Sequence, residues 1–299
     1  MLSCIAIGSN AIRLLEAEWE NGELKVCKRE RRGTRLFAGL VDGKLEQESM
    51  DRSVDAVREL YEIAAGDQSD GVFVIATSAV RDAKNGQIFT DACRKVTGVE
   101  VEILTGEEEA VYSYFGASRG GISGVLDIGG GSTEFTLGED DRIFGVMSLQ
   151  MGAVRMYELC PIDSVDAYLK TVRICLDLLN ENRGRIPFRT DVRYDWTGVG
   201  GTLTTLGAMK QKIELFDPVL SEGMKMSYEE IRGFGLLLSS MSMEDRGGVV
   251  GLMAHRADII PSGIAILDAA MQHFSIPEMR LSAQGNLDGY LKKIFLKRC

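Results

Sequence analysis

The segment Asp127–Glu134, DIGGGSTE, places glycines, hydroxyls and carboxylates between two apolar stretches that are typical of β-strands. Glycines have no Cβ, so the backbone N–H groups of Gly129 and Gly130 can approach an anion closely. The hydroxyls of Ser132 and Thr133 add further donors. We predict that these four residues hold phosphate oxygens, with a tight turn that binds nothing as the alternative.

Two carboxylates, those of Asp127 and Glu134, flank this glycine turn. Carboxylate oxygens are ligands that Mg²⁺ and other hard cations prefer. A cation held there, directly or through water, would offset the charge of bound phosphates. We therefore predict Asp127 and Glu134 as metal residues, with Mg²⁺ or another divalent cation as the cofactor. Two surface carboxylates without a metal are the alternative.

A second turn lies near the N-terminus, where Ile7–Asn10 reads IGSN and Arg13 follows. Its hydroxyl, amide and guanidinium groups suit the other end of a bound phosphate. We predict phosphate contacts from Ser9, Asn10 and Arg13, and a capped hairpin is the alternative.

The two turns belong to an internal repeat. Leu2–Arg29 and the segment that begins near Gly124 each predict a strand, a glycine turn, a second strand, a tight turn and a third strand. Aligning their Ile-Gly pairs matches Ala6 with Asp127, so only the second half carries the acid. Duplicated halves of this type predict two domains with facing glycine turns and a polyphosphate in the cleft between them.

Alternating strands and helices complete both halves and predict an α/β fold. The length of 299 residues fits two domains of about 100–200 residues each. We predict domains at 1–120 and 121–299, with the last helix packing back on the first domain as a variant. The predicted helices are Asp51–Ala65, Gly86–Thr97, Glu107–Gly116, Asp163–Glu181, Tyr228–Met241 and Ile264–Phe274, and the predicted strands beyond the hairpins are Gly71–Ala76, Glu100–Leu104 and Asp191–Thr197.

The segment Ile75–Ala83, IATSAVRDA, ends a predicted buried strand and then presents Arg81. A guanidinium fork fits phosphate oxygens, so Arg81 is a predicted phosphate ligand. In the alternative, Ser78 caps a helix and Arg81 pairs with Asp82.

Three adjacent carboxylates begin the next predicted helix at Gly106–Ala110, GEEEA. The helix macrodipole favours acids in a first turn, which explains Glu107 and Glu108 without any function. Glu109 differs if the helix turns it inward. There it could accept a proton from a water that attacks a phosphoryl group.

A last candidate site follows the strand that contains Trp196. Gly200, Gly201 and Thr202 enter a predicted helix, whose N-terminus can receive an anion. The residues alone suggest an anion site at this helix start, and we predict phosphate contacts there.

Charge and hydropathy exclude several partners. The formal charge of −10 opposes sequence-independent binding to a nucleic acid polymer, which needs broad neutralisation by lysine and arginine. An anionic ligand would need a local basic patch such as Lys28–Arg35, for which a solvated strand edge is the alternative. No apolar stretch approaches the ~20 residues of a membrane-spanning helix, and no signal-peptide pattern begins the chain. These features predict a cytoplasmic protein without a membrane partner.

Cysteine and histidine usage argues against two common chemistries. The six cysteines, of which Cys299 is the last residue, form no CxxC pair, and the histidines are His255 and His273. The sequence therefore offers few ligands for a zinc centre and few histidines for a Ser-His-Asp hydrolase.

In order along the chain, the motifs IGSNAIRL, ATSAVRDA, GEEEA, LDIGGGSTEF, MGAVRM, GVGGT and GLMAHRADIIPSG resemble those of the exopolyphosphatase and guanosine pentaphosphate phosphohydrolase family in its short, two-domain form. The resemblance implies two ribonuclease-H-like domains of the actin-like ATPase superfamily. It also implies a metal-dependent hydrolase that removes the terminal phosphate of inorganic polyphosphate or the 5′ γ-phosphate of guanosine pentaphosphate (pppGpp), with Glu109 as the general base. The family often forms homodimers, although no apolar stripe in this sequence requires one.

Three positions depart from the family pattern. Ala6 stands in place of an Asp, and Val111 and Leu287 each stand in place of an Arg. The missing carboxylate and cations predict weaker metal binding, a grip on a shorter phosphate chain, or a loss of turnover. A non-catalytic or weakly catalytic regulatory protein that binds polyphosphate or nucleotide is therefore the alternative function, and a kinase of the same superfamily is a third.

Overall fold

The computed structural model describes residues 1–214 and 221–298 and divides the chain into two compact units. Unit 1 comprises Met1–Gly116 and Asn286–Cys299, and unit 2 comprises Ala117–Gly285. The chain therefore leaves unit 1 slightly before the predicted boundary at 120. The last helix belongs to unit 1, as in the variant prediction that this helix packs back on the first domain. Cys299 itself lies outside the described residues.

Unit 1 is built on one main sheet in the order β3-β2-β1-β6-β7. Its strands are β1 (Leu2–Ile7), β2 (Ala11–Glu20), β3 (Glu23–Gly33), β4 (Leu40–Val41), β5 (Lys44–Leu45), β6 (Val72–Ala76) and β7 (Val101–Ile103), and its helices are α1 (Gln47–Gly66), α2 (Ser78–Arg81), α3 (Gly86–Thr97), α4 (Gly106–Ala117, which ends at the unit boundary) and α11 (Asn286–Arg298). β1 pairs antiparallel with β2 and parallel with β6. All of β1 is buried because α1 and α11 pack against it.

Unit 2 repeats this plan with one more strand, in the order β10-β9-β8-β11-β13-β12. Its strands are β8 (Ile122–Ile128), β9 (Thr133–Glu139), β10 (Arg142–Leu149), β11 (Asp195–Gly200), β12 (Lys225–Ser227) and β13 (Glu278–Leu281), and its helices are α5 (Ala153–Leu159), α6 (Val165–Glu181), α7 (Gly201–Gln211), α8 (Tyr228–Ser239), α9 (Met243–Gly247) and α10 (Ile260–His273). β8 pairs antiparallel with β9 and parallel with β11. The mixed α/β class that the sequence predicted is therefore confirmed.

The internal repeat is visible in the geometry of the two glycine turns. The N–H of Gly8 donates to the carbonyl of Ala11 at 3.1 Å, and the N–H of Gly129 donates to the carbonyl of Ser132 at 3.0 Å. Both turns join the first and second strands of their sheets. The match of Ala6 with Asp127 therefore holds in three dimensions as well as in sequence.

Each unit has its own hydrophobic core. In unit 1, α11 contributes Leu287, Tyr290 and Leu291 to a cluster that also contains Cys4 and Ala6. In unit 2, α10 is buried along almost its whole length and contacts α5, α6 and α8. Within the described residues, every helix falls short of the length and apolarity that a membrane span requires.

Three predicted element starts are wrong by four residues. One is α1, which begins at Gln47 rather than Asp51, and the other two have identifiable reasons. β11 begins at Asp195 rather than Asp191, because its partner strand β8 offers pairing only from Ser123, which lies opposite Asp195. α10 begins at Ile260 rather than Ile264, because Pro261 is accommodated in the first turn of a helix. The apolar period alone missed that extra turn.

Candidate active site

The carboxylate of Glu109 is turned into the interior of unit 1. It lies in the first turn of α4, where Glu107 and Glu108 are exposed while Glu109 is only 6% exposed. Glu108 instead closes the helix start, because its carboxylate accepts from the N–H of Thr105 at 2.9 Å. Glu109 therefore has the inward orientation that a role as proton acceptor requires.

Both oxygens of Glu109 have polar partners. Arg81 Nη1 lies 3.4 Å from Oε2, and the amide Nδ2 of Asn286 donates to Oε1 at 3.3 Å. The same Arg81 nitrogen donates to the carbonyl of Leu104 at 2.9 Å, which fixes the guanidinium beside the helix start. These donors offset the cost of burying an ionised carboxylate.

The alternative for this segment, in which Ser78 caps a helix and Arg81 pairs with Asp82, holds only in part. Arg81 does approach Asp82, at 3.8 Å, but it also reaches Glu109. Ser78 is the first residue of α2 and Thr77 is the N-cap, so Ser78 does not cap the helix. Its hydroxyl instead lies 2.9 Å from the hydroxyl of Ser9, which links the first glycine turn to α2.

The first glycine turn is fixed from behind by the segment that follows β3. The carbonyl of Ser9 accepts from the N–H of Phe37 at 2.9 Å, and the carbonyl of Asn10 accepts from Thr34 and Arg35. In a trans peptide the N–H points away from the C=O of the same unit, so the N–H of Asn10 projects from the opposite side of the turn. The buried Nδ2 of Asn10 has no acceptor within the described part of the chain. Both donors suit an anion.

A row of side chains crosses the first sheet next to this turn. Ala6 lies opposite Arg13, and Arg13 lies opposite Arg31. Like charges that face each other across strands repel. Burial, and to a lesser extent the charge of Arg13, lowers the pKa of the Arg31 guanidinium. An anion between the two guanidinium groups would relieve that repulsion.

The rest of the basic patch Lys28–Arg35 is largely neutralised. Lys28 pairs with Asp67, Arg29 pairs with Asp288, and Arg32 pairs with Glu59 at 2.7 Å. Lys28, Arg29 and Arg32 are partly exposed as well as paired, which agrees with the solvated strand edge given as the alternative for the patch. Arg31 lies opposite a second arginine, Arg13.

In unit 2, the carbonyls of the glycine turn all point towards α5. Gly129 accepts from the N–H of Ala153 at 2.9 Å, Gly130 accepts from Val154 at 2.8 Å, and Gly131 accepts from Nε of Arg155 at 2.7 Å. The described chain has no cis peptides. The three following N–H groups therefore project away from α5 in one direction and form a nest for an anion.

The hydroxyls of this turn are less available than the sequence predicted. Thr133 is fully buried and its hydroxyl donates to the carbonyl of Met151. Ser132 is 1% exposed. Their contacts with phosphate stay predictions, and the backbone N–H groups carry most of the donor capacity of the turn.

Asp127 and Glu134 face each other at the base of the same turn. They are direct cross-strand partners and are only 8% and 1% exposed. The hydroxyl of Ser148 donates to Glu134 Oε1 at 2.8 Å. Two buried carboxylates on adjacent strands repel each other unless a proton or a cation lies between them. The donor set therefore fits a hard divalent cation.

Two protein carboxylates do not complete a metal coordination sphere. The described residues contain no cluster of three or more acidic, histidine or cysteine side chains around a common point. Mg²⁺ commonly keeps several waters and binds through one or two carboxylates together with substrate phosphates. Asp127 and Glu134 match that pattern.

Gly200, the first residue of the candidate segment Gly200–Thr202, lies beside Asp127. It has φ +96°, and a Cβ there would lie 2.5 Å from the carbonyl oxygen of Ile128 and 3.0 Å from Oδ1 of Asp127. Glycine is therefore required for this approach. The guanidinium of Arg256 lies against Gly201, whereas Thr202 packs on Gly263. Their roles in phosphate binding stay predictions.

Asn286 and Arg155 are site residues that the sequence did not reveal. Asn286 contacts Glu109 across 177 positions of sequence, so no local pattern announces it. Arg155 stood within the motif MGAVRM, but nothing in its spacing showed that its side chain would hold the turn.

Two of the three departures from the family pattern occur together. Ala6 and Leu287 both belong to the hydrophobic cluster under the first sheet. An acid and a cation are thus both replaced by apolar residues in one cluster.

Comparison with known proteins agrees with the geometry. The model of the Ppx/GppA phosphatase family matches residues 17–298. The chain is 30% identical to "Exopolyphosphatase 2" of Mycobacterium tuberculosis (strain CDC 1551 / Oshkosh), with 96% of each chain covered. It is 26% identical to a "Guanosine-5'-triphosphate,3'-diphosphate pyrophosphatase" of Pseudoalteromonas atlantica, covering 97% of this chain but 58% of that protein.

A solved structure shows the same likeness. The crystal structure of the Aquifex aeolicus member of the Ppx/GppA family superposes with a TM-score of 0.82 at 25% identity, over 99% of this chain and 98% of that one. Sequence and structure agree over nearly the whole length. The chain belongs to the Ppx/GppA phosphatase family.

Proposed function

We propose that this protein is a phosphohydrolase that releases the terminal phosphate of inorganic polyphosphate, the 5′ γ-phosphate of pppGpp, or both. The observation that carries the proposal is Glu109, a buried carboxylate held between Arg81 and the amide of Asn286. The names of two relatives, an exopolyphosphatase and a guanosine-5'-triphosphate,3'-diphosphate pyrophosphatase, support the same two substrates.

Glu109 serves as the general base in this proposal. Its carboxylate takes a proton from a water molecule, whose oxygen attacks the terminal phosphorus while the bond to the bridging oxygen breaks. The shortened phosphate chain leaves with the electron pair of that bond. Arg81 offsets negative charge on the transferred group, and Arg13 and Arg31 bind phosphate oxygens in unit 1.

Unit 2 supplies a phosphate nest and the metal residues. The N–H groups of Gly130, Gly131 and Ser132 project to one side of the turn and bind phosphate oxygens. Asp127 and Glu134 hold Mg²⁺ or another divalent cation, which neutralises phosphate charge when it is bound. Repulsion between these two buried carboxylates supports this assignment. A cytoplasmic location and a homodimer stay predictions.

A substrate panel tests the function. Phosphate release is measured from long-chain polyphosphate and from pppGpp, with Mg²⁺ and with a chelator. We expect Mg²⁺-dependent release from at least one of the two. Calorimetric binding of both compounds without release from either would contradict the proposal and support the regulatory alternative. Phosphate transfer to an added acceptor with ATP would instead support a kinase.

A further inference from the structure

We infer that Asn286 is a positioning residue for Glu109: its side-chain amide orients the carboxylate of the base and ties it to Arg13. The inference deepens the proposed function and rests on Glu109 being the base. Asn286 is the first residue of α11 and is 2% exposed. It directly precedes Leu287, one of the three departures from the family pattern, and the sequence assigned no role to it.

The chemistry of its two neighbours fixes the orientation of the amide. Arg13 can only donate, and its Nη2 donates to Oδ1 of Asn286 at 3.1 Å. The NH₂ group must then face the other way, where Nδ2 donates to Oε1 of Glu109 at 3.3 Å. An amide fixed in this orientation favours the ionised carboxylate, which is the form of Glu109 that can accept a proton.

The close packing of α11 against α4 brings Asn286 into contact with Glu109. In α11, Gly289 follows Asn286 by three residues, and in α4, Tyr112 follows Glu109 by three, so each pair shares one helix face. A Cβ at Gly289 would overlap the backbone carbonyl of Tyr112. Glycine thus allows the two helices to touch, and one turn earlier Asn286 meets Glu109.

Asn286 also compensates for the missing acid at Ala6. In the second half, Asp127 faces Glu134 across the strands, whereas in the first half the residue opposite Arg13 is an alanine without a polar atom. Arg13 finds its acceptor on Asn286 instead. A phosphate-binding cation and the base are thereby connected through one neutral side chain.

Charged groups around Glu109 set the background for a test by titration. Arg81 faces it from α2, and Arg13 faces it through the amide. Glu107 and Glu108 lie exposed in its own helical turn. Substituting Asn286 alters none of these charged groups.

The test reads Glu109 directly. The full-length protein is labelled with ¹³C at glutamate carboxyl carbons, and the Glu109 signal is assigned by its loss in Glu109→Gln. Removing one hydrogen bond worth ~1 kcal/mol should raise the pKa of Glu109 in Asn286→Ala by about 0.7. Asn286→Asp, which is nearly isosteric, should raise it further because the donor becomes an acceptor with negative charge.

Asn85→Ala is the matched control. The Asn85 amide also makes two hydrogen bonds in unit 1, to the N–H and the carbonyl of Leu45 at 2.8 and 2.9 Å. Its loss should lower stability comparably and leave the Glu109 titration unchanged. In steady-state assays, Asn286→Ala should lower kcat by about tenfold with KM within about threefold, because the amide contacts the base.

The outcomes separate the two claims. If the Glu109 titration in both Asn286 variants matches that of the unsubstituted protein, the inference is overturned, whatever the activity. If no substrate is hydrolysed at all, the proposed function fails while the titration still decides the role of Asn286. If Asn286→Ala does not fold, Asn286→Asp supplies the same comparison.

Discussion

At the scale of single residues, charge placement distinguishes the two halves of this duplicated protein. The row beside the first glycine turn reads Ala6, Arg13 and Arg31, and the row beside the second reads Asp127, Glu134 and Ser148. Basic side chains face each other in the first row, and acidic side chains face each other in the second. On this difference rests our proposal of phosphate contacts in unit 1 and of a divalent metal in unit 2.

Replacing Asp127 by asparagine tests the metal assignment without any activity assay. In the absence of metal, Asp127→Asn should melt about 1–2 °C higher than the unsubstituted protein, because a cross-strand repulsion of ~0.5 kcal/mol is removed. Mg²⁺ should raise the melting temperature of the unsubstituted protein but not that of the variant.

Asp141→Asn provides the control for this experiment. Asp141 is an exposed residue of the turn between β9 and β10, so its loss should preserve the Mg²⁺ response. An equal Mg²⁺ response in Asp127→Asn and in the unsubstituted protein would rule out the assigned metal residues.

At the scale of elements, α5 holds the glycine turn of unit 2 in its conformation. Its N-terminal N–H groups and Arg155 hold the carbonyls of Gly129–Gly131. Gly152, directly before α5, lies so close to the turn that a Cβ would overlap the backbone of Gly130 and Gly131. The helix and the turn are therefore one structural piece.

Gly152→Ala should consequently weaken phosphate binding as well as destabilise the fold. The added methyl group must displace the backbone of the turn, at a cost of about 1–3 kcal/mol in unfolding free energy. We expect KM for polyphosphate to rise at least about fivefold as the N–H groups lose their alignment, equivalent to ~1 kcal/mol of hydrogen bonding. Gly184→Ala, where an added methyl meets no atom within 4 Å, should leave KM unchanged. Unaltered KM in Gly152→Ala would show that the nest does not bind substrate.

How far the sequence predicted this site depends on the range of the contacts. The glycine turns follow from local chemistry, and the structure has both of them. The sequence left the inward orientation of Glu109 as a condition, which the structure meets. Thr133 and Ser78 were assigned by their type, but their hydroxyls bond to Met151 and Ser9. Those contacts depend on how separate segments pack, as does the contact of Asn286 with Glu109, and no local pattern encodes them.

At the scale of the whole molecule, the C-terminal helix completes the unit that contains the N-terminus. α11 supplies Leu287, Tyr290 and Leu291 to the cluster around Cys4. Burial raises the pKa of the Cys4 thiol well above its usual value, and it raises the pKa of Cys175 in unit 2 to about 12. Both thiols should therefore resist labelling at neutral pH in the folded protein.

Deleting residues 286–299 should expose the core of unit 1 to solvent and leave the core of unit 2 buried. Losing three buried apolar side chains, each worth ~2–5 kcal/mol, should speed labelling of Cys4 by about a hundredfold or more. Cys175 should stay protected because its core lies wholly within unit 2. Mass spectrometry of labelled peptides distinguishes the two thiols, and a truncation after Phe295 is the control. Simultaneous exposure of Cys175 would contradict the division of the cores.

The central claim is that Glu109 is the base of a phosphohydrolase, and substitution by glutamine tests it most directly. Glu109→Gln keeps the size of the side chain and removes its basicity. We expect kcat for phosphate release to fall at least about a hundredfold with a small change in KM, while Glu107→Gln, in the same helical turn but exposed, stays near the unsubstituted rate. A Glu109→Gln enzyme that releases phosphate within about threefold of the unsubstituted rate would show that Glu109 is not the base.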